Sequence, residues 1–230
     1  HLASDKIIEK GTKIAAEILE SAVGDIACED GDFKIVGTDK SINIHEIAKI
    51  AYNPMRMPKG IEPGLAETGT FKPDAPSFPN GCHGVEVEID PDTGETDLIS
   101  YYVVDDVGNV INPLTLKGQI YGGIAQGLGQ ALMEDIVFDP DTGQLMSGSF
   151  QDYAMPRADD FCNIKIESNP VPTKVNPLGV KGAGEAGCVG ALPAVLSAIT
   201  DALSVYGVKY IEMPATPQKI WKTIQDATAA

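Results

Sequence analysis

Residues 117–133, KGQIYGGIAQGLGQALM, read as a helix that carries five glycines, at 118, 122, 123, 127 and 129. A glycine inside a helix costs about 1 kcal/mol relative to alanine. A chain that keeps five must therefore bring something very close to this backbone. Two occupants meet that demand. One is a second backbone packed tightly on the helix. The other is an anionic cofactor cradled at the helix start, where free N–H groups point outward.

The remaining chain is long enough to build a core around such a contact. Its 230 residues are 43% hydrophobic and 22% charged, ordinary values that exclude collagen-like, coiled-coil and wholly disordered structures. The formal net charge of −16 repels nucleic acid and anionic membranes. Four cysteines, Cys28, Cys82, Cys162 and Cys188, form no C-x-x-C pair; reduced, mostly buried thiols are expected. No run of about 18 apolar residues occurs. The start, HLASDKIIEKG, lacks the basic-then-apolar order of a signal peptide, so a cytoplasmic location is expected.

Periodicity divides the chain into three stretches. In residues 1–52, Ile7, Ile8, Ile14, Ala15, Ile18, Leu19 and Ala22 mark one face of a helix that contains Gly11. Two short strands follow within 26–37 around Glu29-Asp30-Gly31-Asp32, and Asn43 with Glu46 predicts a capped second helix through Tyr52. This is a small α+β segment. Residues 53–80 hold six prolines and read as a long loop or linker. In residues 81–230, alternation predicts a hairpin turning at Asp90–Glu95 and a strand around Ile164 and Ile166. It also predicts an apolar helix over 188–206, a short strand after it, and a terminal helix over 216–226. Asp139-Pro140-Asp141-Thr142-Gly143 repeats the hairpin's turn string; its spacing suits a tight turn better than a calcium loop. Strands and helices mix without a strict βαβ repeat, so the expected fold class is α+β.

Gly182-Ala183-Gly184-Glu185-Ala186-Gly187 matches the dinucleotide pattern G-x-G-x-x-G. The preceding Asn176-Pro177-Leu178-Gly179 is no buried strand, so that reading is set aside. What remains is a lone carboxylate among small neighbours at a helix start. Poor solvation would raise its pKa, as a general base needs; backbone N–H groups and the helix dipole would lower it. Lys181 is a possible ion partner. His45 and His83 stand isolated in the sequence, so neither a histidine metal cluster nor a Ser-His-Asp set is assembled, and no metal-ligating side chain is assigned.

Three stretches together, VVDDVGNVINPLTLKGQIYGGIAQGLGQAL (103–132), GVKGAGEAG (179–187) and MPATPQKIWKTI (213–224), resemble the C-terminal part of the molybdopterin-binding large subunit of molybdenum hydroxylases. These are the xanthine dehydrogenase and aldehyde oxidase family, and the chain is most similar to aerobic carbon monoxide dehydrogenase-like large subunits. The likeness is strong over 82–230 and weaker over 1–81. It implies an oxidoreductase that hydroxylates an aldehyde, an N-heterocycle or a similar substrate with water-derived oxygen, or oxidises carbon monoxide. It assigns Glu185 as the catalytic base that takes the proton of a molybdenum-bound hydroxide. Gln119 becomes the glutamine that hydrogen-bonds the pterin, with Lys117 as a further donor. Gly118, Gly122 and Gly123 let the cofactor approach, and Gly184 keeps space open at the metal. The implied cofactor is molybdopterin cytosine dinucleotide with molybdenum. The implied partners are the upstream half of the large subunit, an FAD-binding medium subunit and an iron-sulfur small subunit with 2Fe–2S clusters. Family large subunits are much longer than this chain, so a truncated piece, a proteolytic fragment or one part of a split subunit is expected, inactive alone. The alternative is a non-catalytic interaction module that retains the fold.

Overall fold

The apolar stripe near the start makes Leu2–Ile18 a helix, α1, in a computed structural model that describes residues 1–229. Gly11 survives inside α1 because the Phe33 ring lies against it; a Cβ there would stand 3.0 Å from the ring's Cε1. Strands β1 (Ile26–Glu29), β2 (Asp32–Ile35) and β3 (Ser41–Asn43) form an antiparallel meander. Its first turn puts Asp30 and Gly31 at φ of 49° and 84°, the positive values that a two-residue hairpin requires. Asn43 Oδ1 then accepts from the Glu46 N–H at 3.0 Å and starts α2 (Ile44–Ala51). Ile14, Ala15, Phe33, Ile47, Ile50 and Ala51 close a small core.

The proline-rich stretch is divided rather than free. Met57, Ile61 and Leu65 pack on that small core, the Gly64 N–H donates to the Ala51 carbonyl at 2.7 Å, and Lys6 Nζ donates to the Thr68 carbonyl at 2.7 Å. Residues 1–72 accordingly form one unit, and a second begins at Pro73. The boundary thus falls inside the expected 53–80 loop, because its first part has an apolar surface to settle on.

The second unit is built on a three-stranded sheet. β4 (Asn80–Ile89) and β5 (Thr96–Asp106) form the hairpin, and β6 (Ile164–Ser168) adds parallel to β5. Inward positions of β4 and β5 alternate with exposed ones, as a sheet covered on one face demands. The covering helices are α3 (Pro113–Leu132) and α4 (Ala186–Leu203), with α5 (Pro217–Thr228) capped by Thr216. Ile120, Ile124 and Leu128 of α3 meet Ala191, Val195, Ile199 and Leu203 of α4 in the core with Tyr101 and Val103. The expected strand after residue 206 does not form; 207–212 run irregularly. Although no uninterrupted apolar run is expected, residues 186–206 are long and apolar enough to cross a membrane by length and composition, with a mean hydropathy of 1.7, because Ser197, Thr200 and Asp201 only dilute the run; here one face of α4 lies in this core. The cysteines are free, and none is fully buried: Cys82 is exposed and the other three are intermediate.

The glycines of α3 separate by what they meet. A Cβ on Gly123 would stand 2.9 Å from the Cys188 nitrogen, and one on Gly127 would stand 3.1 Å from the Cys188 carbonyl oxygen. Across the contact, a Cβ on Gly187 would stand 3.0 Å from the Ile124 nitrogen. The two backbones touch. Gly118 and Gly122 instead face open space, with no protein atom within 4 Å of a Cβ. Gly123→Ala, facing unyielding backbone, is expected to lose about 1–3 kcal/mol, whereas Gly122→Ala gains up to about 1 kcal/mol of helix propensity. Urea denaturation of the two variants checks the opposite signs.

Candidate active site

A loop and two helix starts build the site. The loop is pinned first: the Asn109 N–H donates to the Gly179 carbonyl at 3.0 Å, and the Lys181 N–H donates to the Val107 carbonyl at 2.8 Å. Gly108 and Gly179, at φ of 66° and 67°, allow this close seam, since a Cβ on either would strike the opposite strand of the loop. Lys181 Nζ then meets Asp106 Oδ2 at 2.5 Å, with both side chains about nine-tenths buried. Asp106 also accepts the N–H groups of Gly108 and Val171, each at 2.9 Å. The Lys181 hydrogen bond, followed by those two N–H groups, holds the Asp106 carboxyl well below the usual carboxylate range.

That ion pair removes Lys181 from Glu185. Glu185 is the N-cap of α4, yet its side chain makes no cap hydrogen bond. Its exposed carboxylate has no hydrogen-bond or ion partner among the described residues. It stands at a pocket of about 310 Å³ lined with Phe78, Pro79, Asn80, His83 and Val189. On the other side of the loop, Gln119 lines a pocket of about 280 Å³ with Asn112, Thr115, Lys181 and Ala183. The 179–187 loop thus contributes to both pockets.

Gly118, Gly122, Gly182 and Gly184 leave open space where side chains would project. Gly123 does not: its close neighbour is α4, and it serves the helix contact. The expected anion cradle at the α3 start is also absent. α3 begins earlier, at Pro113, and Asn112 Oδ1 accepts the Leu114 and Thr115 N–H groups at 3.0 and 3.1 Å, so those donors are taken. Lys117 Nζ sits 5.4 Å from the Tyr121 ring centroid. Of the two helix starts at this site, that of α4 lacks a side-chain cap.

In the sequence His83 stands isolated. In the fold its Nδ1 lies 2.6 Å from Tyr101 Oη, and its Nε2 lies 3.7 Å from Asp105 Oδ1. Asp105 is 2% exposed, and its Oδ2 has no hydrogen-bond partner. Burial, then the charge of Asp105 and Cys162, pushes the Tyr101 phenol up. The signal was present as polar residues in the inward phase of two alternating strands, His83 with Val85 and Val87, and Tyr101 and Asp105 around Val103.

Residues 1–162 match the molybdopterin cofactor-binding domain model. The chain belongs to this molybdopterin cofactor-binding family, as part of a molybdenum hydroxylase large subunit. The match takes in residues 1–81, where the sequence motifs are sparse. The domain is 40% identical over 220 residues to the nicotine 6-hydroxylase large subunit of Paenarthrobacter nicotinovorans, covering 95% of this chain and 27% of the relative. It is 34% identical to the carbon monoxide dehydrogenase large chain of Hydrogenophaga pseudoflava, over 100% of this chain and 28% of the relative. The solved structure of quinoline 2-oxidoreductase from Pseudomonas putida 86 superposes with a TM-score of 0.82 at 36% identity, covering 96% of this chain and 28% of that one. The chain therefore spans little more than a quarter of these relatives.

The open glycine faces and the Gln119 amide suit a bulky, hydrogen-bonding cofactor such as a pterin; Lys181, which lines the Gln119 pocket, is neutralised by Asp106. Because Asp106 is held ionised, its contribution to stability is complete above the ordinary carboxylate pKa near 4 and is lost as pH falls below it. In a denaturation series from pH 7 to pH 3, the wild type is expected to lose stability more steeply than Asp106→Asn.

Proposed function

We propose that this domain supplies the general base and part of the pterin-binding surface of a molybdenum hydroxylase. The observation that carries the reading is the uncapped, unpaired Glu185 carboxylate at its pocket, on the loop that also lines the Gln119 pocket. When bound, the molybdenum–pterin group supplies two-electron oxidation. Gln119 donates its amide hydrogens to the pterin, and Gly118, Gly122, Gly182 and Gly184 let that group approach the backbone. The uncapped N–H groups of the first α4 turn offer further donors to an anion. Glu185 accepts the proton released as water-derived oxygen passes to the substrate carbon. A free carboxylate can do this because neither Lys181 nor a helix cap occupies its lone pairs.

The pocket beside Glu185 has the volume of a small-ligand site, and Phe78, Pro79 and Val189 give it apolar walls. An organic substrate suits those walls, in the class named for nicotine 6-hydroxylase and quinoline 2-oxidoreductase. The cofactor is molybdopterin cytosine dinucleotide, and electrons leave through an FAD-binding medium subunit and an iron-sulfur small subunit, as the family resemblance implies. The reaction is cytoplasmic and requires the remaining large-subunit chain. In the assembled enzyme, Glu185→Gln is expected to lower kcat at least about 100-fold with molybdenum content unchanged. Turnover close to wild type would remove Glu185 from the reaction.

A further inference from the structure

His83 is a polar residue where the alternation of β4 calls for an apolar one, and α4 lies directly on it. A Cβ at Gly190 would fall on the imidazole, 2.5 Å from Cδ2 and 2.6 Å from Cε1. Gly190 follows Glu185 by five residues, little more than one helical turn. The imidazole cannot easily turn aside. Its Nδ1 is held by Tyr101 Oη at 2.6 Å, Asp105 Oδ1 faces Nε2 at 3.7 Å, and the side chain is 4% exposed. Gly81, opposite Asp105 in the β4–β5 register, has no room for a Cβ beside the Asp105 carboxylate, so the acid is boxed in as well. The ring therefore acts as a spacer of fixed height between the sheet and the first two turns of α4. The pocket that holds Glu185 is lined by His83 and Gly190 together.

We propose that His83, fixed by Tyr101 and Asp105 and seated against Gly190, is a positioning residue that sets where α4 presents the Glu185 carboxylate over its pocket. The proposal rests on the reading of Glu185 as the base. An added methyl at residue 190 must lift the helix or displace the ring, and misplacing a reacting group by about 1 Å can cost about 100-fold in rate.

The test is a double-mutant cycle in the assembled enzyme with Gly190→Ala, His83→Ala and both together, reading kcat, KM and molybdenum content. Gly190→Ala is expected to lower kcat at least about tenfold, with KM and molybdenum content within about twofold of wild type. Adding His83→Ala should restore kcat to the level of His83→Ala alone, since the methyl then has room. An equal loss from Gly190→Ala in both backgrounds would overturn the proposal, as would wild-type kcat in Gly190→Ala. Should Gly190→Ala fail to accumulate as folded enzyme, His83→Gln carries the test, because it creates no clash. A fall in kcat with unchanged KM and molybdenum content supports positioning, and an unchanged kcat refutes it. Glu185→Gln is measured beside these variants. If it retains turnover, the base reading fails on its own, whereas an inactive Glu185→Gln with an additive cycle rejects only the role of His83.

Discussion

The close approach of α3 to α4 organises the second unit. Where Gly123 faces Gly187 and Cys188, two backbones meet with no side chain between them, and one turn on Gly127 meets the Cys188 carbonyl and the small Ala191 side chain. That contact places the start of α4, with Glu185, beside the middle of α3, one turn beyond Gln119. Larger residues there would separate the helices and draw the 179–187 loop off the α3 surface. The helix-propensity cost of the glycines is thus offset by packing that no other residue permits.

The same helix shows how one residue type does two jobs. Gly123 and Gly127 are buried in the crossing, whereas Gly118 and Gly122 are exposed over open space. A helix needs only the first pair to pack. The second pair takes no part in the α3–α4 contact, and it flanks Gln119 in sequence. The proposed approach of a bound group would use this exposed pair, whereas the buried pair serves the helix crossing.

Much of this was legible in the sequence. Apolar spacing marked α1, α3 and α4, the Asp-Pro-Asp-Thr-Gly-Glu string placed the β4–β5 turn, and Asn43 and Thr216 announced helix starts that the fold confirms. Glu185 stood out because small residues surround it. Three things were not legible, and each depends on long-range contact. Nothing local reveals that Lys181 prefers Asp106, 75 residues away, to Glu185 four residues away. Nothing local tells Gly123 from Gly122, because their partners come from α4. His83 looked isolated because its partners lie on the next strand, at positions visible only once the register of β4 on β5 is known.

In the proposed function, the open face of α3 and the 179–187 loop together receive the cofactor. Amide hydrogen exchange, compared between cofactor-loaded and cofactor-free forms of the complete large subunit, tests it most directly. Cofactor is expected to slow exchange in residues 114–122 and 179–187 together. Unchanged exchange in both segments, with protection confined to other parts of the chain, would contradict it.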